Sequence, residues 1–191
     1  MNNPKHLFLF VGRIASGKET QGQLLADKLD APMFMTGGKI REIMASDSQL
    51  GKRLKDDYNK GLLMPAWFAT YLFQDFLLNL PDDTHAVFEG TGRAVAEAED
   101  FHKTAAWLGR PYTVFNLVVT PETVMERSLS RGRDVADTEE AVKTRLAEYE
   151  KTTAPAIEYF KEQGVAVDID GEKPVEAIHE EVMQYVTNVV S

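Results

Sequence analysis

Residues His6 to Val11 are almost wholly apolar, and the run stops at Gly12. A stretch so short and continuous predicts a strand buried on both faces. Past Gly17 the period changes, and Leu24, Leu25 and Leu29 fall on one side of a helix from Lys18 to Leu29. Short apolar runs predict further strands at Met33 to Met35, Ala86 to Glu89, Thr113 to Val119 and Val165 to Ile169. Helical patterns separate them. Pro65 to Leu80 has Pro65 suited to a first turn, and Val95 to Leu108 and Pro121 to Arg131 follow. Thr138 to Phe160 reads as one long helix, with Glu139 and Lys143 at helical spacing. In Pro174 to Val190, Val175, Ile178, Val182, Tyr185 and Val189 share a face. Five strands alternating with helices predict an α/β protein whose mostly parallel sheet is covered on both faces. Two stretches break the alternation. Gly37 to Gly61 holds two polar helical segments, and Arg131 to Asp137 is short and charged. Both read as insertions over a site. The cluster Trp67, Phe68, Tyr71, Leu72, Phe73 and Phe76 reads as core.

A chain of 191 residues suffices for one domain. No apolar run approaches the ~20 residues of a membrane-spanning helix, and the N-terminus lacks the shape of a cleaved signal. The absence of cysteine excludes disulfides and thiolate metal sites, and a cytoplasmic location is expected. His6, His85, His102 and His179 lack ligand spacing. A net charge of −9 argues against a general nucleic-acid binder, whose affinity comes from Lys and Arg on phosphates. An anionic ligand would need a local cluster of positive charge.

One loop offers that chemistry. Gly12-Arg13-Ile14-Ala15-Ser16-Gly17-Lys18 has the Gly-x4-Gly-Lys spacing of a phosphate-binding loop, between a predicted strand and a predicted helix. Small residues let the backbone wrap a phosphate, and its N–H groups and the helix N-terminus face the anion. Lys18 adds a mobile charge for the outer phosphates. Glu19 stands where the general motif has a hydroxyl, whereas Thr20 can supply one near a magnesium ion.

From this loop onward the chain resembles the adenylate kinase family of nucleoside monophosphate kinases over almost its whole length. The family's Gly-x-Pro-Gly-x-Gly-Lys-Gly-Thr appears as Gly12 to Thr20, with Ile14, Ala15 and Glu19 replacing Pro, Gly and Gly. Met35-Thr36-Gly37-Gly38-Lys39-Ile40-Arg41 matches Ser-Thr-Gly-Asp-x-x-Arg. Gly61 to Pro65 matches the stretch lining the acceptor base, and Phe88-Glu89-Gly90-Thr91-Gly92-Arg93 matches Leu-Asp-Gly-Phe-Pro-Arg. Arg127, Arg131, Arg133, Arg145, Tyr149, Thr153 to Pro155 and Asp170 to Pro174 complete the likeness in order.

The resemblance implies a three-layer P-loop NTPase fold with a helical monophosphate-binding insertion at 36–65 and a short lid at 131–138. It implies Mg-dependent ATP:AMP phosphotransfer giving two ADP, in a monomer without zinc, nucleic acid or membrane as partner. By resemblance, ATP lies against Ala15, Ser16, Gly17, Lys18, Glu19, Thr20, Arg127, Arg131 and Lys173. AMP lies against Thr36, Arg41, Leu62, Leu63, Met64, Gly90, Arg93 and Glu97, with Arg133 and Arg145 on the reacting phosphates. Catalysis falls to Lys18, Arg93, Arg127, Arg133 and Arg145, and magnesium, mainly through water, to Thr20 and Glu89. Arg13, Arg53 and Arg110 read as solvated.

Glu97 takes the position of the glutamine that reads adenine in the family. An ionised carboxylate only accepts hydrogen bonds, so it suits the two adjacent donors of guanine, while Thr36 favours AMP. GMP, UMP or CMP is therefore the alternative acceptor. A nucleotide-binding regulatory protein with weak catalysis is the alternative of another class.

Overall fold

The structure, a computed structural model, describes residues 5–59, 64–131 and 138–190. Five strands form one parallel sheet: β1 (Leu7–Gly12), β2 (Met33–Met35), β3 (Ala86–Glu89), β4 (Tyr112–Val118) and β5 (Ala166–Asp170). Their order across the sheet is β2-β3-β1-β4-β5. The expected strands are all present, each end displaced by no more than one residue.

The helices are α1 (Lys18–Leu29), α2 (Thr36–Ala45), α3 (Gln49–Asn59), α4 (Ala66–Leu78), α5 (Val95–Trp107), α6 (Pro121–Arg131), α7 (Glu139–Glu148), α8 (Ala154–Glu162) and α9 (Val175–Val190). Alternation along β1 fills both faces of the sheet. Leu7, Leu9 and Val11 join Phe73 and Leu77 of α4, Phe101 of α5 and Phe160 of α8 in one cluster. Phe8 and Phe10 join Leu25 of α1 and Ile178, Val182 and Val186 of α9 in the other. Every residue of β1 is buried, which explains its unbroken apolar run. A third, smaller cluster of Val119, Val124 and Val142, with Ile14 against it, joins α6 and α7 to the end of β4. Among the described residues, no helix is long and apolar enough to cross a membrane.

Three sequence readings need correction. The helix expected from Thr138 to Phe160 is interrupted by a π-helical turn at Tyr149–Thr153. Pro155 explains the break, because it has no N–H for a carbonyl four residues back and its ring crowds that carbonyl. Trp67 and Tyr71, expected in the core, are 70% and 59% exposed on one side of α4, while Phe68, Leu72 and Phe73 are buried. Arg110 is not solvated. It is 3% exposed and donates to the carbonyls of Lys5, Leu80, Pro81 and Thr84, gathering the chain at the amino end of the sheet.

Gly12 has a φ of 132°, and a Cβ built there would lie 2.5 Å from the Leu117 carbonyl oxygen. Neither backbone can yield without breaking the β1–β4 ladder. Gly12→Ala is therefore expected to destabilise the fold by about 2–4 kcal/mol through strain and overpacking, measurable as a lowered urea midpoint at unchanged m-value.

Candidate active site

The site forms beyond the carboxyl ends of the strands, where the chain switches from building the sheet on one side of β1 to building it on the other. Open α/β sheets place ligands at such a switch point. Gly12 opens the loop and Gly17, at φ 96°, caps α1. Between them Ala15 stands at φ 56°, in the left-handed region that glycine favours. The family's glycine at this position thus answers a backbone demand, and Ala15 meets it at a strain of roughly 1 kcal/mol. Lys18 donates to the Arg13 carbonyl at 2.6 Å and so arches back over the loop. The Ser16 hydroxyl is buried and has no hydrogen-bond partner among the described residues. Glu19 and Thr20 occupy the first turn of α1, both exposed.

Arg127 of α6 reaches the same loop. It donates to the carbonyl of Gly171 at 3.1 Å and to that of Ala15 at 3.5 Å, with Glu172 4.0 Å away. Gly171 itself donates to Val118 O, which brings the Asp170 to Lys173 turn over the end of β4. Lys173 is drawn to the surface by Glu181 at 2.8 Å. Arg131 ends α6, but its side chain lies outside the described residues.

On the other side of β1, Glu89 ends β3 opposite Phe10, and Gly90 donates to the Phe10 carbonyl. Gly90 turns at φ 72°, with Thr36 on one side and Arg93 on the other. Thr36 is buried and its hydroxyl lies 3.0 Å from that of Thr91. Met64 is also buried. Arg41 folds its guanidinium over the Gly37-Gly38 start of α2. The expected residues Leu62, Leu63 and Arg133, with lid residues 132–137, lie outside the described residues.

Arg93 sits deepest. Burial pulls its guanidinium below the ordinary arginine range; the carboxylates of Glu89 and Glu97 oppose this, Arg145 of α7 reinforces it and Glu148 opposes it. These five side chains therefore share one electrostatic neighbourhood. Arginine stays charged even so, so the cluster gathers two guanidinium groups in an otherwise acidic protein.

Glu97 does not point to solvent. It is the third residue of α5, 3% exposed, and Oε2 accepts from the Arg93 backbone N–H at 3.0 Å. This bond fixes the turn that aims Arg93. Burial lifts the Glu97 carboxyl to about 7, although the Arg93 and Gly92 N–H groups and the Arg93 charge pull it down.

Sequence reasoning passed over Arg13. Read as solvated, it donates to the Val119 carbonyl and to Glu150, each at 2.6 Å, and lies over the Tyr149 ring. Its position inside a loop between buried elements was the available signal. Among the described residues, no group of three His, Cys, Asp or Glu could hold a metal ion. The hydroxyl of Thr20 and the carboxylate of Glu89 are oxygen donors of the kind that suits magnesium.

The parallel sheet with its glycine-bounded loop at the end of β1 defines a P-loop nucleotide-binding α/β protein. The model of the family described as "Adenylate kinase" matches residues 10–165. Adenylate kinase 1 of Synechocystis is 35% identical over 89% of this chain and 91% of its own. Adenylate kinase of Thermobifida fusca is 33% identical over 92% and 95%. Rat adenylate kinase isoenzyme 1 is 29% identical over 96% and 95%. The chain belongs to the adenylate kinase family and is an enzyme of that family.

The buried Glu97 carboxyl makes stability depend on pH. Its folded value, about 7, lies above its ordinary 4.5, so between these values the folded state binds more protons than the unfolded state. Stability contributed by this group is therefore complete below pH 4.5 and declines as pH rises to 7. Glu97→Gln keeps an acceptor for the Arg93 N–H and removes the charge. It is expected to stabilise the protein at pH 8 by on the order of 1–3 kcal/mol, with the gain vanishing near pH 4.5, as read by urea titrations across that range.

Proposed function

We propose that this enzyme transfers the γ-phosphoryl group of Mg–ATP reversibly to AMP, giving two ADP. The observation that carries the reading is that Arg93 and Arg145 share one electrostatic neighbourhood in a chain of net charge −9, with a phosphate-binding loop at the end of β1. Phosphoryl transfer asks mainly for positioning and for neutralising charge on the equatorial oxygens. Guanidinium groups do both through paired hydrogen bonds.

On the ATP side, the backbone from Ala15 to Thr20 cradles the phosphates, the orphan Ser16 hydroxyl adds a donor, and Lys18 swings from its Arg13 carbonyl to the outer phosphates. Arg127 and Arg131 flank them, and Lys173 borders the base. On the AMP side, Arg41 and Arg93 hold the phosphate, while Thr36, Leu62, Leu63, Met64 and Gly90 bound the nucleoside. Arg133 and Arg145 bridge to the reacting centre. Residues 36–65 serve as the acceptor-binding insertion and 131–138 as the lid, whose closure excludes water. Thr20 and Glu89 would hold magnesium, mainly through water, and the ion would supply neutralising charge for the reacting phosphates. The protein is proposed to act as a cytoplasmic monomer.

The acceptor turns on Glu97. A carboxyl titrating at about 7 is substantially protonated at neutral pH. Protonated, it offers one donor and one acceptor, as an amide does, which suits the ring nitrogen and amino group of adenine. Ionised, it suits guanine.

Supplying Mg–ATP with each monophosphate in turn tests the reading. Diphosphate formation is expected fastest with AMP; a preference for GMP or a pyrimidine would assign another acceptor, and ATP binding without turnover would mark a regulatory protein. Lys18→Ala is expected to reduce kcat by about 100-fold or more, and undiminished turnover would falsify the site. Glu97→Gln is expected to lower KM for AMP, more strongly at pH 8 than at pH 6.

A further inference from the structure

Arg13 is the second residue of the phosphate loop, yet its side chain leaves the loop and crosses to the π-helical turn that continues α7, the helix that carries Arg145. Three groups meet on its guanidinium. Nη1 donates to the Val119 carbonyl just past β4, Nη2 donates to Glu150 Oε1, and the Tyr149 ring centroid lies 4.9 Å from Cζ. The Arg13 side chain is only 20% exposed, and Nε is buried. A cation over an aromatic face in so shielded a place is more favourable than one in open water. The Glu150 side chain is 58% exposed, so its ion pair adds little. The stack on Tyr149 and the bond to Val119 form the firm part of the clasp.

Tyr149 stands four residues after Arg145, one helical turn further on the same face. Gripping the ring therefore restrains rotation of α7 about its own axis, the motion that would carry Arg145 away from Arg93. Tyr149 also opens the π-helical turn. The extra residue in such a turn re-aims everything on its amino side by roughly 100° relative to an unbroken helix. It thereby lets α8 keep Phe160 in the core while α7 presents Arg145 to the site.

We propose that Arg13 is a positioning residue: by clasping Tyr149 and Glu150 from inside the phosphate loop, it fixes the rotation and distance of Arg145 relative to the bound phosphates. The proposal rests on the role given to Arg145 above. Arg13 touches no substrate in this account and acts only through α7.

The test is a double-mutant cycle read in kcat and in both KM values. Arg13→Met keeps the unbranched stem and removes the fork. It is expected to lower kcat about tenfold, since ~1 Å of misplacement can cost up to about 100-fold, with both KM values changed less than about threefold. Arg145→Ala alone is expected to lower kcat about 100-fold. In the Arg145→Ala background, Arg13→Met should then change kcat by less than about twofold. An equal factor in both backgrounds, or unchanged kcat in the single variant, overturns the clasp. Wild-type kcat in Arg145→Ala would instead remove the role of Arg145 itself. If Arg13→Met fails to fold, as seen by circular dichroism, Tyr149→Leu enters the same cycle. There too, a loss independent of Arg145 overturns the proposal.

Discussion

Burial of β1 on both faces is the constraint on which the rest depends. A strand with helices above and below it and a parallel neighbour on each side cannot shift register without moving a full side chain out of each core. Its carboxyl end is therefore held firmly, and the loop begins from that point. The contact of Gly12 with Leu117 leaves no room for adjustment there. The strain at Ala15 persists because both ends of the loop are held, one by β1 and the other by α1.

Charge is organised around that anchor. The acidic surplus is spread over the chain, whereas Lys18 and Arg127 meet at the phosphate loop and Arg93 and Arg145 share one neighbourhood. Burial makes Arg93 more demanding, since a desolvated guanidinium needs carboxylates nearby. Glu89 and Glu148 meet that need. Glu97 secures the Arg93 backbone and so aims the arginine.

Much of this architecture was legible in the chain. Each strand was short and apolar enough to name, and the loop carried its own punctuation in Gly12, Gly17 and Lys18. The break at Tyr149 was not read, although Pro155 was in view, because a helical period survives a π turn on either side of it. Arg13 and Arg110 were misread because an arginine's partners are set by tertiary contact, and nothing within a few residues of either names a carbonyl 26 or 106 positions away. Glu97 was visible as a departure from the family's glutamine, but its inward orientation followed only from its bond to the Arg93 N–H, a tertiary detail of the turn before α5.

The three apolar clusters are unequal. Two are broad and share the sheet between them, whereas α6 and α7 rest on three buried valines and a few partly covered neighbours, Ile14 of the phosphate loop among them. Local stability follows the amount of buried apolar contact. The reserve of free energy is therefore distributed steeply, deep along β1 and shallow across the arm that carries Arg127 and Arg145. By that rule the arm is expected to open at lower cost than the sheet, and the contact of Ile14 with its cluster ties the phosphate loop to that arm.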